Sequence, residues 1–397
     1  MILRVWDYYD EFQCIADKCK DSCCIGWEID IDEDTFAYYS TVPGVFGNRL
    51  KKQMYLTKDK EHSFRLGEHG RCPFLNSGNL CDICIELGEE ALSEVCTEYP
   101  RFSITYGNVL QKALCLSCEE VGRILFTHDE PVKLVDYEMP DYEEEYISEE
   151  KEKEEILSRE ESLEEEAQEA REANYIAWLE SMQELLISTL QNRAIPFADR
   201  VSSFLAISKR AQDFINSWMK CKGELDFDTN PEEFIRIGKS KEDKLGIGLQ
   251  EQNDCWEAGT YEAFLQRFEV FTRMEVLDEE WTHIKELFAE DFTEQTYEAL
   301  TKEYLSDKDY KENDYEQLAV YFVFRYFMNA VYNYDVLSYA KLAILFTRVI
   351  LDMDVIRYHR NGKRFSLEDR IDMVRIFSKE VEHSEENVEL AREEVLF

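Results

Sequence analysis

The chain has 397 residues, with 85 Asp plus Glu against 45 Lys plus Arg, a formal net charge of −40 at pH 7. A field of that sign repels a phosphate backbone, and no basic segment compensates it, which argues against a nucleic-acid binder. Hydrophobic residues at 44% and aromatics at 13% supply enough apolar surface for a folded core, while no run of about 18 uncharged apolar residues is present to span a membrane.

In chain order, the opening MILRVWDYYDEF lacks the apolar core of a signal peptide, which points to a cytoplasmic protein. Residues 1–125 then hold ten of the twelve cysteines, between Cys14 and Cys118, with turn-like pieces such as LNSGNLC and RLGEHGRC. In a reducing compartment so dense a block reads as a metal site rather than a disulfide framework. Ligand bonds can anchor loops that burial alone would not fix, so an irregular metal-binding domain is expected here.

Thiolates select zinc or iron–sulfur clusters. Cys81 and Cys84 form one CxxC pair and Cys115 and Cys118 another, which on spacing alone resembles a zinc ribbon. Adjacent Cys23 and Cys24 point to opposite sides of an extended backbone, so they serve different sites or only one of them ligates. Ten thiols exceed one tetrahedral site; either two centres exist or several cysteines are structural. The patterns CxxxCxxC, GxGxxG and GxxxxGK[ST] are absent, so radical chemistry of the usual kind and a Rossmann-type cofactor site have no support.

Residues 126–175 read as an acidic connector and the start of a long helix. The stretch 141–172 carries sixteen acids and four bases and continues without Gly or Pro into YIAWLESMQELLISTLQNR, where Ile176, Leu179, Met182, Leu186 and Leu190 form one apolar stripe. Pro196 is expected to end that helix. Residues 176–397 form a helical domain, with further helices predicted at 197–219, 260–272, 279–289, 294–305, 314–332, 336–358 and 366–394, and a loop region at 222–259. The fold class is therefore mainly α, with an irregular cysteine-rich N-terminal domain ahead of a helical one.

Three stretches carry the resemblance to a known family in the cysteine region: FQCIADKCKDSCCIGWEIDID (Phe12 to Asp32), CPFLNSGNLCDICIELGEEALSEVCTEYPR (Cys72 to Arg101) and CLSCEE (Cys115 to Glu120). With LQNRAIPFADR (Leu190 to Arg200), VYFVFRYFMNAV (Val320 to Val331) and FSKEVEHSEENVE (Phe377 to Glu389), they resemble the flagellin lysine-N-methylase family. The resemblance implies methyl transfer from S-adenosylmethionine to lysines of flagellin, and an iron–sulfur cluster, or alternatively zinc, held by the cysteine region. The family's recurrent cysteines match Cys14, Cys19, Cys23, Cys24, Cys72, Cys81, Cys96, Cys115 and Cys118, whereas Cys84 departs from the pattern. The competing expectation is a non-enzymatic zinc- or iron-binding module whose helical domain docks a partner.

Methylation requires a neutral amine, and with an ordinary lysine pKa near about 10.4 a site must desolvate the amine or supply a base. The donor's sulfonium favours aromatic faces and acidic neighbours. Four clusters qualify. In GWEIDID, alternation puts Glu28, Asp30 and Asp32 on one face of a short strand. In Tyr99-Pro100-Arg101, Arg101 can hold the donor's carboxylate. Between Tyr321 and Tyr339, Arg325, Asn329, Tyr332 and Asp335 share a helical stripe, with Arg325 a second donor-binding candidate. Glu382-His383-Ser384 offers an acid–base pair. Glu28, Tyr332 and His383 are thus the catalytic candidates, and the net charge suits a protein substrate with exposed lysines.

Overall fold

A computed structural model describes residues 1–58, 60–139, 159–220 and 259–395. The expected loop at 222–259 and the first half of the acidic run lie outside the described residues, apart from residue 259 itself. The chain is mainly α, and among the described residues the strands lie between Ile2 and Glu138. The strands are β1 (Ile2–Trp6), β2 (Asp30–Ile31), β3 (Met54–Leu56), β4 (His62–Phe64), β5 (Arg101–Tyr106), β6 (Val109–Leu114) and β7 (Leu134–Glu138).

Two sheets form. A three-stranded one runs β2-β4-β3, all antiparallel. The larger runs β5-β6-β1-β7, with β1 parallel to β6 and antiparallel to β7. β5 and β6 are joined by a two-residue turn in which Gly107 takes φ +52°, a conformation that favours glycine.

Each sheet serves its own core. Ile29, Ile31, Tyr39, Leu50, Phe64, Phe74 and Ile83 form a small core around the three-stranded sheet. The larger sheet joins the helices instead: Trp6, Tyr8, Tyr106, Val109 and Leu114 pack into the same cluster as the helical residues. At its centre lies the helix Val336–Arg360, buried along nearly its whole length and packed against Phe197–Lys220, Glu312–Tyr326 and Leu367–Val381.

The periodicity argument holds where it was strongest. The helix Arg159–Leu190 buries Leu179, Met182, Leu186 and Leu190 completely, with Ile176 packed at the core's edge. Leu186→Ala is expected to cost about 2–5 kcal/mol, read as a lower urea midpoint in chemical unfolding. Pro196, however, does not terminate this helix. The helix stops at Leu190, and Pro196 opens the next one, its carbonyl accepting from the backbone N–H groups of Asp199 and Arg200. The buried Arg200 closes the gap, donating to the Leu190 carbonyl at 2.7 Å and pairing with Glu312 and Glu316.

Two predicted helices are interrupted. The one expected at 314–332 runs as Glu312–Tyr326, then a tight turn at Phe327–Asn329 and a short piece at Ala330–Asn333, ended by Tyr334 at φ +59°. The one expected at 366–394 is two helices, Leu367–Val381 and Glu385–Glu394. Ser384 caps the second by accepting from the Asn387 N–H, which leaves Glu382 and His383 in the break. No helix among the described residues is long and apolar enough to cross a membrane.

Candidate functional site

Between the small core and the helices lies a cleft of about 500 Å³. Cys14, Cys19, Cys23, Cys84, Cys96 and Cys118 line it, together with Trp27, Tyr99, Arg101, Ser117, Glu119, Lys379 and His383. Three segments distant in sequence build it: the loop 12–27, the run Cys84–Arg101, and the turn and helix start Ser117–Glu119. The break at His383 adds a fourth wall.

Long-range polar contacts hold these segments in place. Glu119, nearly buried, accepts from the Lys20 backbone N–H at 2.5 Å. Asp21 pairs with Arg375 and Lys379, each at 2.8 Å, and Lys379 also reaches Asp278 at 2.9 Å. Glu368 joins Arg123 at 2.5 Å and Lys20 at 3.1 Å. Arg123 and then Lys20 hold the Glu368 carboxyl at about 2, below its ordinary 4.5. A depressed carboxyl contributes stability that is fully present above about pH 4.5 and is lost as pH falls toward about 2. The pair is exposed, so the effect stays below about 1 kcal/mol. Urea midpoints at about pH 5 and about pH 3 should therefore differ less in Glu368→Gln than in the native chain.

The cysteines divide by surroundings. Cys72 belongs to the small core, and Cys24, Cys81 and Cys96 pack against it. Cys14, Cys19, Cys23 and Cys118 face the cleft, and their thiols lie near enough to influence one another electrostatically. Adjacent Cys23 and Cys24 go to different groups, although they sit in a turn rather than in extended backbone and their side chains hydrogen-bond to each other. Burial pushes the thiols of Cys19 up to about 12 and of Cys118 up to about 11. Cys24 is lowered to about 7, chiefly by a hydrogen bond with Cys23. The ten described cysteines are all free, and among the described residues no group of three or more His, Cys, Asp or Glu is arranged to hold a metal ion.

Cys115 stands with neither group. It is buried, its sulfur 3.1 Å from Ser117 Oγ, 3.5 Å from Ser378 Oγ and 3.9 Å from His383 Nε2. Burial and Glu382 push its thiol up, but Arg325 and His383 outweigh them and lower it to about 7. Among the described residues the two CxxC pairs do not form one ribbon-like site: Cys81 packs against the small core, Cys118 against the helical one, and Cys115 is buried apart from both groups of thiols. Cys84, which departs from the family pattern, nevertheless lines the cleft.

Of the catalytic candidates, only His383 lines the cleft. Glu28 is exposed outside it; only Asp30–Ile31 of its stretch is strand, and Asp32 caps two helix starts by accepting from Thr35 N and Glu94 N, each at 2.9 Å. Tyr332 is 67% exposed and donates to the Thr105 carbonyl at 2.6 Å. Arg101 lies in the cleft, its guanidinium 5.4 Å from the Phe12 ring and 6.0 Å from Tyr9, without a carboxylate partner among the described residues. Arg325 is elsewhere. Its guanidinium, mostly buried and 3.8 Å over the Phe102 ring, pairs with the buried Glu382 at 2.5 Å, so its charge is already neutralised. The helical stripe does not survive either, because Asp335 caps the helix Val336–Arg360 and pairs with Arg392.

Sequence reasoning did not single out Ser117, Glu119 or Lys379. Ser117 links the cleft's rings, meeting Tyr99 Oη at 3.1 Å and His383 Nε2 at 2.9 Å. None of the three belongs to a spacing pattern, and each acquires its role from partners more than fifteen residues away.

These features define a mainly α protein built around a cysteine-lined cleft. The profile of the FliB lysine N-methylase C-terminal domain matches residues 183–396, just over half of the chain, and the chain belongs to that family. It is similar to the lysine-N-methylase of Salmonella choleraesuis (strain SC-B67), 34% identical over 125 residues, 30% of this chain and 31% of that protein. The lysine-N-methylase of Salmonella typhimurium (strain LT2) is 32% identical over 127 residues, 30% and 31% of the two chains. The flagellar biosynthetic protein FliU of Salmonella muenchen is 32% identical over 127 residues, 30% of this chain and 73% of that protein. The match thus spans about a third of the length of the two lysine-N-methylases. No solved structure matches the chain.

Proposed function

We propose that the chain is a protein-lysine N-methyltransferase that uses S-adenosylmethionine, acts on flagellin in the cytoplasm, and carries a cysteine-ligated iron–sulfur cluster in the wall of its cleft. Membership of the lysine N-methylase family supports the activity, and the flagellar name of one relative supports a flagellar substrate. The observation that carries the site is that cationic Arg101, the aromatic rings, His383 and six cysteines, among them Cys14, Cys19, Cys23 and Cys118, line one cleft.

The donor set suits such a group. Cys14, Cys19, Cys23 and Cys118 are soft sulfur ligands around an open space. A four-iron cluster takes each thiolate on a different iron, whereas a single zinc draws all four sulfurs onto one ion. When bound, it would supply a one-electron couple and tie the loop 12–27 to the turn before Glu119. Ligation must displace the protons that burial keeps on Cys19 and Cys118.

The rest of the chemistry falls to the chain's own residues. Arg101 donates to the methyl donor's carboxylate, since its guanidinium has no acid partner among the described residues. Half-buried walls strip water from the incoming amine, which favours its neutral form, and His383 receives the proton. Calorimetry with S-adenosylmethionine tests the assignment. Arg101→Ala should weaken donor binding by about ten- to hundredfold. Unchanged binding would remove Arg101 from the donor site.

A further inference from the structure

Three rings meet on one wall of the cleft. The Trp27 ring centroid lies 5.7 Å from that of Tyr99 and 5.7 Å from that of His383, and the Tyr99 and His383 centroids are 6.3 Å apart. They are mutually inclined at 39°, 57° and 86°, so they do not stack as a flat pile. Each comes from a different part of the chain, and each is only partly buried.

Most of their polar atoms are engaged. Trp27 Nε1 donates to the Cys23 carbonyl, and the Tyr99 hydroxyl and His383 Nε2 both meet Ser117. Apart from His383 Nδ1, what the three side chains offer the cleft is ring carbon. The midpoint of a triangle with these sides is about 3.4 Å from each centroid, so a cation up to about 5 Å above it lies within about 6 Å of all three rings.

The neighbouring charges narrow the ligand. Of the described carboxylates lining the cleft, Asp21 puts one oxygen on both Arg375 and Lys379, Glu119 puts one on the Lys20 N–H, and Glu89 is the third. A primary ammonium, with three protons to satisfy, is better served by carboxylate oxygens than by the ring faces. An alkylated onium centre has few or none and is held by ring faces.

We infer that Trp27, Tyr99 and His383 form a binding site for an alkylated onium cation: a methylated lysine ammonium or the methyl donor's sulfonium. Naming those two sources rests on the proposed function; the ring geometry does not. The site would hold the positive centre by its charge and alkyl surface, while Arg101 holds a carboxylate elsewhere in the same cleft.

The test is equilibrium binding to the full chain, with two pairs of probes. In one pair, N-acetyl-trimethyllysine amide is compared with its neutral analogue, in which carbon replaces the ammonium nitrogen. In the other, S-adenosylmethionine is compared with S-adenosylhomocysteine, which lacks the sulfonium charge. The charged member of at least one pair should bind about tenfold more tightly or better, and the pair that does so identifies the source. Trp27→Leu should erase that preference and Trp27→Phe should keep most of it. Equal binding within both pairs in the native chain, which needs no variant to fold, would overturn the inference, as would a preference untouched by Trp27→Leu. Because binding is read without turnover, a failure to methylate flagellin would sink the functional reading and leave this result standing.

Discussion

Arg325→Met is expected to lower the free energy of unfolding by about 3–5 kcal/mol, because it strands the Glu382 carboxylate in the core. Glu382 has no exposed side-chain surface, and its other contacts are hydroxyls: Tyr321 at 3.0 Å, Tyr326 at 3.3 Å, and Ser378. Those donors do not replace a guanidinium charge. The reciprocal Glu382→Leu should be similarly costly, whereas the double variant should recover much of the loss, since a buried pair can often be replaced by apolar side chains of similar volume. Urea unfolding of the two single variants and the double variant measures all three terms. Additive losses would mean that the pair does not act as a unit. The same substitutions would disturb the cleft, because Glu382 is adjacent to His383 in the break between the last two helices.

Cys118→Ser and Cys23→Ser are expected to abolish nearly all bound iron and acid-labile sulfide, while Cys115→Ser leaves both near the native level. The first two thiols face the cleft with Cys14 and Cys19. Cys115 does not line the cleft: it is buried behind Ser117 and His383, against Ser378 and near the Arg325–Glu382 pair, although only two residues separate it from Cys118. Iron and sulfide analysis of anaerobically purified variants decides it. Equal loss in all three would return Cys115 to the ligand set that the family resemblance implies. Stoichiometric zinc without sulfide would replace the cluster with a structural metal.

That contrast shows where reading a sequence stops. The concentration of thiols before Cys118 is visible by inspection, because composition alone reveals it. Which way each thiol faces depends on two cores that no spacing rule describes. The apolar stripe from Ile176 to Leu190 is legible for the opposite reason: helix periodicity and burial coincide over four turns. The break at Glu382–Ser384 is not legible, since neither proline nor glycine marks it. Ser384 capping Asn387 and the pull of Arg325 on Glu382 make it, and the second of these spans 57 residues. Charged residues mislead in the same way. Nothing in the sequence marks Arg200, Arg325 and Arg370 as paired in the interior, yet they meet the buried Glu316, Glu382 and Asp354. Arg325 was a donor-binding candidate from its place on the helical stripe, and its buried partner explains why it does not line the cleft.

Intact-mass spectrometry of flagellin, after incubation with the cluster-bearing protein and S-adenosylmethionine, tests the proposed function most directly. The expected result is a ladder of single-methyl mass increments confined to lysine-containing peptides, absent without donor and strongly reduced with Arg101→Ala. Unmodified flagellin, in the presence of protein that demonstrably binds donor and carries its full complement of iron and sulfide, would contradict it.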